Sequence, residues 1–239
     1  KDHNINRSIE LLKYREQKVS TNNFKHDLFS QFARVAKAMS NGYRLELLEF
    51  LAQGERSVEA LSQVSGLTMA NTSQHLQQLK QSGLVANRKQ GHKVYYRLSG
   101  MDVMALTSSL REVAERHLTD VDRLVNDYLK VKDSLEPIPL HELLDRVRDD
   151  LVTVLDVRPE EEYNSGHLPG AINIPLAELE KHLHELNPQH EIVAYCRGPH
   201  CVLAFDAVAK LREKGWSANR LDGGLPEWKL EGLPVEKPL

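Results

Sequence analysis

From residue 140 onward, short apolar runs alternate with helix-spaced segments, and this alternation is the strongest constraint on the fold. The predicted strands are 152–157, 171–175, 192–195 and 218–221, and the predicted helices are 140–147, 176–186 and 202–214. Such alternation is typical of a mainly parallel sheet covered by helices on both faces. Because Asp156, Cys196 and Asp222 each stand at a strand end, we expect them at one edge of the sheet.

Cys196 stands where a strand ends and, after a Gly-Pro loop, a helix begins. Unpaired N–H groups at a helix start favour an anion, so a thiol there is acidified and becomes a usable nucleophile at neutral pH. The simpler alternative is a buried cysteine that acts as a small hydrophobe. The flanking Arg197 and His200 and the second cysteine, Cys201, favour the chemical interpretation.

The first half of the chain has helical periodicity, followed by a basic hairpin. Helices are predicted from Phe24 to Met39, over 45–51 up to Gly54, from Ser57 to Gly66, and over a polar stretch at 67–80. The hairpin covers 85–98. This order is that of a winged helix-turn-helix, in which the polar helix enters the major groove of DNA.

Amides and hydroxyls on the polar helix match the hydrogen-bonding needs of base edges and phosphates. A solvated turn is the alternative interpretation for the hairpin alone, but the three elements together favour binding of double-stranded DNA. Residues 1–130 contain 19 Lys and Arg against 14 Asp and Glu, whereas the remainder contains 12 against 20. The predicted DNA-binding residues are Thr68, Asn71, Ser73, Gln74, His75, Gln78, Arg88, Lys89, His92 and Lys93.

A long apolar stripe predicts one helix from Met101 to Lys130, with more apolar surface than its own domain can cover. Packing within the domain alone is one explanation. The favoured one is a homodimer formed by this helix and the helix from Phe24 to Met39. Two protomers would then read a near-palindromic operator.

These patterns predict the fold class of the chain and divide it into four segments. We predict two domains: a mainly α winged helix-turn-helix with a β-hairpin, for DNA binding and dimerisation, and an α/β domain with a parallel sheet. The boundaries are an arm at 1–23, the first domain at 24–130, a linker at 131–139 and the second domain at 140–239. With two cysteines and no span of about 20 apolar residues, we expect a cytoplasmic protein without a membrane partner.

Two family resemblances follow from separate motifs. Residues 31–98, with Ser73-Gln74-His75-Leu76 and Ser82-Gly83-Leu84-Val85, resemble the ArsR/SmtB winged-helix repressors. Residues 140–236 resemble a single rhodanese domain. The pieces that carry the second resemblance are Leu155-Asp156-Val157-Arg158, the run GHLPGAINIP at 166–175, Cys196 with its loop, and Asp222-Gly223-Gly224 with Trp228.

The rhodanese resemblance implies that Cys196 carries sulfane sulfur as a persulfide. The donor would be thiosulfate or polysulfide, and the acceptor a thiol. Main-chain N–H groups of the loop would hold the anionic sulfur, and Cys201 would attack it. Arg197 would attract the donor, and His200 would assist or shape the loop. The expected site residues are Cys196, Arg197, Gly198, His200, Cys201 and Val202, with Asp156 and Arg158 supporting the loop and His167 and Asn173 structural.

The sequence has four alternatives to a sulfur-responsive DNA-binding regulator. A phosphatase of related fold needs an arginine six positions after its cysteine, but Val202 and Leu203 stand there. A metal site at His117 and Asp120 to Asp122 is disfavoured, so no metal and no cofactor are expected. An enzyme that is first a sulfurtransferase, with the winged helix for dimerisation or localisation, and an inert protein-binding module both stay open.

Overall fold

The computed structural model describes residues 21–133 and 135–237. Most of the predicted arm therefore lies outside the described residues, and the first described helix, Thr21–Met39, includes the predicted start at Phe24. The elements of the first half are α1 (Thr21–Met39), α2 (Gly42–Gln53), β1 (Arg56–Ser57), α3 (Val58–Ser65), α4 (Met69–Gln81), β2 (Val85–Gln90), β3 (Lys93–Leu98) and α5 (Met101–His117).

Short-range capping signals define the starts of α3 and α4. Ser57 Oγ accepts a hydrogen bond from Ala60 N at the start of α3, and Gly66 ends that helix in the left-handed region at φ 69°. Both ends confirm the prediction from sequence. Thr68 caps α4 by accepting from Asn71 N at 3.3 Å.

The first half packs its helices against a small antiparallel sheet. The strand order is β1-β3-β2, and β2 pairs with β3 from Val85↔Leu98 to Gln90↔Lys93. Leu47, Leu61 and Leu76 are fully buried in the core between the helices. This is the predicted winged-helix arrangement, with α4 as the exposed polar helix.

The prediction of one continuous helix from Met101 to Lys130 is wrong, because the helix is interrupted at Leu118. Leu118 adopts an extended backbone (φ −109°, ψ 103°) and ends α5, and the chain continues as α6 (Thr119–Leu124) and a π-helical turn (Val125–Lys130). The apolar periodicity continues across the break, so the pattern does not show it. After the break Leu129 is buried, and Lys132 forms a 2.6 Å ion pair with Asp206 of the second half.

The second half is an α/β layer structure, as predicted. Its elements are α7 (Leu140–Arg148), β4 (Val152–Asp156), α8 (Glu160–Ser165), β5 (Ile172–Asn173), α9 (Leu179–His182) with a 3₁₀ turn (Leu183–Glu185), β6 (Glu191–Cys196), α10 (Val202–Glu213), β7 (Ala218–Gly224) and α11 (Leu225–Leu230). The four strands are parallel in the order β5-β4-β6-β7, with an apolar cluster on each face.

One prediction for this half needs correction, and the predicted linker makes specific contacts. The helix expected over 176–186 is reduced to α9 and the 3₁₀ turn because the residues after Pro175 form turns first. The segment expected as a linker over 131–139 is docked on the second half. Asp133 is buried between Arg212 and Arg220, at 2.6 Å from each. Ile138 forms a parallel bridge with Leu221.

Hydrogen bonds from Arg212 and Arg220 outweigh the effect of burial and lower the pKa of Asp133.

Within residues 21–133 and 135–237, no helix combines the length and the apolar composition needed to cross a bilayer.

Candidate functional site

The two cysteines lie at opposite ends of one loop and are joined by a disulfide. Cys196 ends β6, Cys201 occupies the position before α10, and their Cα atoms are 6.1 Å apart. The expected free thiolate is therefore not present in this form, because the Cys196 sulfur is bonded to Cys201. Cys196 is also fully buried in an apolar cluster, whereas Cys201 is half-buried.

The helix start predicted after the loop is confirmed by α10. Val202 is its first residue and is half-buried, and Cys201 N donates to the Gly198 carbonyl at 3.1 Å. A Cβ at Gly224 would lie 2.3 Å from the Cys196 carbonyl oxygen and 2.6 Å from Gly198 N. The Gly-Gly motif at 223–224 therefore gives the loop backbone room to pass over β7.

Asp156 and Arg158 form a fully buried ion pair at the end of β4. Arg158 Nε lies 2.9 and 3.1 Å from the two carboxylate oxygens, and Arg158 Nη2 also donates to the Gly166 carbonyl at 2.9 Å. Tyr195 completes the group by donating its hydroxyl hydrogen to Asp156. Burial and the charge of Asp156 raise the pKa of Tyr195 well above its ordinary value, so the phenol stays protonated. Asp222, the third expected edge residue, is exposed within β7.

Asn173 and His167 make internal contacts next to this pair. Asn173 Nδ2 donates to the carbonyls of Asp156 and Arg158 at 3.0 Å each. His167 is buried, stacks on Tyr163 with ring centroids 3.6 Å apart, and makes a 3.0 Å contact from Nδ1 to the Tyr163 carbonyl. Both residues thus have the contacts expected for a structural role.

Arg197 and His200 contact carboxylates and side chains on the side of the loop that faces the winged helix. Arg197 is held by the carboxylate of Glu162 at 2.6 to 3.0 Å and lies 4.9 Å above the ring of Phe50 in α2. His200 Nε2 lies 2.6 Å from Glu115 Oε1 of α5. Neither side chain is free to attract an anionic donor in this form, because each is already paired with a carboxylate.

Residues that the sequence did not single out connect the loop to α2. Gln53, at the end of α2, is fully buried and accepts from Arg158 Nη1 at 3.0 Å. Its Nε2 donates at 3.2 Å to the carbonyls of Arg197 and Glu49. No local pattern in the sequence marks this glutamine, because its partners lie 105 and 144 residues away.

Glu162 and Glu227 make two further contacts between the halves. The fully buried Glu162 carboxylate also lies 2.9 Å from Arg56 of β1. Glu227 of α11 accepts from Arg111 of α5 at 2.9 Å and from Gly224 N at 2.9 Å. Glu227 thus caps the start of α11 by accepting from the N–H of Gly224. The sequence signal for this cap is an acidic residue three positions after the residue that precedes the helix.

The polar helix α4 presents part of the predicted DNA-binding set. Asn71, Gln74 and Gln78 are exposed, while Ser73 and His75 are half-buried. His75 packs near Tyr43, with ring centroids 6.1 Å apart. Thr68 caps the helix and Gln78 accepts from Arg44 at 2.7 Å, so both already have a partner within the protein.

The hairpin tip carries Lys89, His92 and Lys93 on its exposed surface. Arg88 differs from them because Glu55 accepts bonds from its Nε at 2.8 and 3.0 Å, and its guanidinium lies 4.7 Å from the centre of the Tyr95 ring. This pairing with Glu55 raises the pKa of Arg88 and compensates its charge locally. Within the described residues, no three His, Cys, Asp or Glu side chains form a metal-binding group.

Comparison with known proteins gives two matching family models. Residues 139–231 match the model described as rhodanese-like domain, and residues 41–87 match the model described as bacterial regulatory protein, arsR family.

Three similar proteins cover different parts of the chain. HTH-type transcriptional regulator Rv0324 of Mycobacterium tuberculosis is 48% identical over 213 residues, which are 89% of this chain and 93% of that protein. Putative sulfur carrier protein YrkF of Bacillus subtilis is 48% identical over 48 residues, 20% of this chain and 26% of that protein.

The third is a solved structure of a homodimeric winged helix-turn-helix DNA-binding domain, Mb0332 from Mycobacterium bovis. It is 46% identical and covers 40% of this chain and 89% of that one, with a TM-score of 0.38. On the similarity to Rv0324 and the two matching models, the chain belongs to the arsR family of bacterial transcriptional regulators and carries a rhodanese-like domain after its winged helix-turn-helix.

Proposed function

We propose that this regulator binds DNA as a homodimer and that its operator affinity depends on the sulfur state of the loop 196–201. The observation that carries the proposal is the buried amide of Gln53. It donates to the carbonyl of Arg197, the residue next to Cys196, and accepts from Arg158. A change in the loop that moves this carbonyl therefore acts on a side chain of the winged helix.

Helix α2 extends this contact toward the DNA-reading helix. Gln53 ends α2, and near its start Arg44 donates from Nη1 to Gln78 Oε1 of α4 at 2.7 Å and from Nη2 to the Lys37 carbonyl of α1 at 2.9 Å. A small rotation of α2 at Gln53 would therefore change the position of α4. Coupling requires an element with two states that both sites influence, and the loop with its disulfide open or closed is that element.

The proposed chemistry begins with both cysteines as thiols and with the loop opened so that Cys196 is accessible, because Cys196 has no exposed surface in the disulfide form. The Cys196 thiolate attacks the sulfane sulfur of thiosulfate, the S–S bond of thiosulfate breaks, and sulfite leaves as the new persulfide bond forms. Cys201 then attacks the inner sulfur of the persulfide and gives up its proton. Hydrosulfide leaves, and the Cys196–Cys201 disulfide is the oxidised product.

Return to the dithiol form uses two equivalents of a small thiol, which are oxidised to a disulfide. Cys201 is half-buried and Cys196 has no exposed surface, so the first thiolate attacks the Cys201 sulfur. The Cys196 thiolate is the leaving group. The N–H groups at the start of α10 would stabilise its charge.

The dimer proposal rests on apolar side chains that this chain leaves uncovered. In α1, Phe24, Phe29 and Phe32 are each more than half exposed, and Val113 of α5 is 57% exposed. Such surface is typical of an interface with another chain. A two-fold dimer presents two copies of α4 to a near-palindromic site.

The test compares operator affinity between sulfur states. A DNA duplex selected from a random-sequence pool by the dithiol form is titrated with the dithiol form and with the thiosulfate-treated form. We expect at least a fivefold difference in Kd, within the usual range of allosteric coupling. Cys196→Ser and Cys201→Ser should both show no response to thiosulfate, and equal Kd values for the two wild-type forms would refute the coupling.

The match of residues 139–231 to the rhodanese-like model favours a second candidate, a sulfurtransferase first and a regulator second. Steady-state sulfur transfer from thiosulfate to cyanide separates the two. Sustained turnover that needs Cys196, together with unchanged DNA affinity, supports the enzyme. A single turnover ending in the disulfide supports the sensor.

A further inference from the structure

A cavity of about 390 Å³ lies between the winged helix and the rhodanese-like domain. Its walls come from α2, α5, α6 and α11, and residues Arg197 and His200 of the cysteine loop also line it. The volume lies within the range of about 300–1,000 Å³ that is typical of small-molecule sites. Leu45, Met104, Ala114, Val121 and Leu230 make most of its surface apolar.

Most charged groups around the cavity are already paired. Arg111 contacts Glu227 at 2.9 Å and Glu115 at 3.4 Å, and Glu115 also contacts His200 at 2.6 Å. Arg197 is held by Glu162, which lies outside the lining. These pairs leave little positive charge available for an anionic ligand.

Glu46 and Glu49 differ from the other charged groups of the lining. In the part of the chain that the structure describes, neither carboxylate has a hydrogen bond or an ion pair, and Glu49 is exposed to the cavity. Burial by the surrounding walls raises the pKa of Glu49, although Arg197 and Arg111 act in the opposite direction. The Glu49 carboxylate is thus partly desolvated by apolar walls, and within the described residues no cation is in direct contact with it.

We propose that this cavity binds a small amphipathic cation, a primary amine with an apolar body. The ammonium group would lie at Glu49, with Glu46 adding negative charge, and the apolar body would pack on Leu45, Met104 and Leu230. Such a ligand contacts both halves of the protein beside the cysteine loop. The site uses no sulfur chemistry, so it is independent of the function proposed above.

Calorimetric titration of the full chain with three probes of one chain length tests the site. Hexylamine, hexanol and hexanoate share an apolar body and differ in the head group. We expect hexylamine to bind at least tenfold more tightly than hexanol and hexanoate not to bind. Equal affinity for hexylamine and hexanol would overturn the assignment of a cation, and no binding of any probe would overturn the site.

Two variants and a control assign the binding to this cavity. Glu49→Gln should weaken hexylamine about tenfold, the effect of losing one charge-assisted contact, and should remove the preference over hexanol. Ala114→Phe should abolish binding of both by filling the space. The control Glu112→Gln changes a glutamate of α5, the helix of Ala114, that lies outside the lining, and it should leave all affinities unchanged. Unaltered hexylamine binding by Glu49→Gln would place the ligand elsewhere.

Discussion

Replacing Gln53 tests whether the two halves of the chain are mechanically joined at the loop. Gln53→Met keeps the volume of the side chain and removes both polar atoms. The change deprives Arg158 Nη1 of a buried acceptor and the carbonyl of Arg197 of a donor. A hydrogen bond to a charged group contributes about 1.5–3 kcal/mol, and the part-buried Arg197 carbonyl left unsatisfied costs up to about 1–3 kcal/mol. Together these ranges give an expected destabilisation of about 2.5–6 kcal/mol.

Gln53→Glu separates the two contacts. A carboxylate still accepts from Arg158, but it cannot donate to the Arg197 carbonyl, and it places negative charge beside that oxygen. The expected loss of stability is therefore smaller, about 1–3 kcal/mol, while the effect of the sulfur state on DNA affinity should disappear. If the coupling survives in Gln53→Glu although thiosulfate still closes the disulfide, Gln53 is not the connection.

Urea unfolding followed by two signals measures the stability part. Both tryptophans, Trp216 and Trp228, lie in the rhodanese-like domain, so their fluorescence reports that half, and far-UV circular dichroism reports all helices. Wild type should give coincident transitions, and Gln53→Met should separate them. The control Gln77→Met alters an exposed glutamine and should stay within about 0.5 kcal/mol of wild type. A loss under about 1 kcal/mol for Gln53→Met would refute the energetic role of the bridge.

Three further predictions concern the hairpin, Lys229 and the dimer interface. Replacing Lys89 and Lys93 by Ala should flatten the log–log salt dependence of DNA binding by roughly 1.8, at about 0.9 per phosphate contact, and an unchanged slope would remove the hairpin from the interface. Burial and the charges of Arg158 and Lys237 lower the pKa of Lys229 to about 8. As the pH rises, the folded protein loses this proton at a lower pH than the unfolded protein does. The free energy of unfolding should therefore increase with pH between about 8 and 10.5. Urea unfolding across that range should show a smaller rise for Lys229→Met than for wild type. Phe32→Glu should shift the sedimentation coefficient toward the monomer, and an unchanged value would move the dimer interface away from α1.

Much of the fold follows from signals that act within a few residues. Ser57 and Gly66 bound α3 because a hydroxyl cap and a left-handed glycine each act within one helical turn. The strand that ends at Cys196 can be predicted from the sequence, because a strand buried on both faces forms a continuous apolar run. Both predictions need no knowledge of what packs against these segments.

The contacts of the site side chains could not be predicted in the same way. Arg197 meets Glu162, 35 residues earlier in the chain, and His200 meets Glu115, 85 residues earlier. The bend at Leu118 contains neither proline nor glycine, and the segment after it docks through Lys132 on the second half. Each of these features depends on how the two halves pack together, which residue spacing does not encode.

The coupling proposed between the loop and the winged helix has a second possible route through Glu162. Its carboxylate is fully buried and is held by Arg197 from the loop and by Arg56 from β1. A buried ion pair adds little stability over a well-packed apolar contact, but losing one partner is strongly unfavourable because a charge stays buried. Any loop conformation that moves Arg197 therefore leaves Glu162 more dependent on Arg56. Under the proposal, the winged helix shifts so that Arg56 keeps its contact with Glu162. A cost of a few kcal/mol at this one group is enough to supply the 1–3 kcal/mol that couples two binding sites.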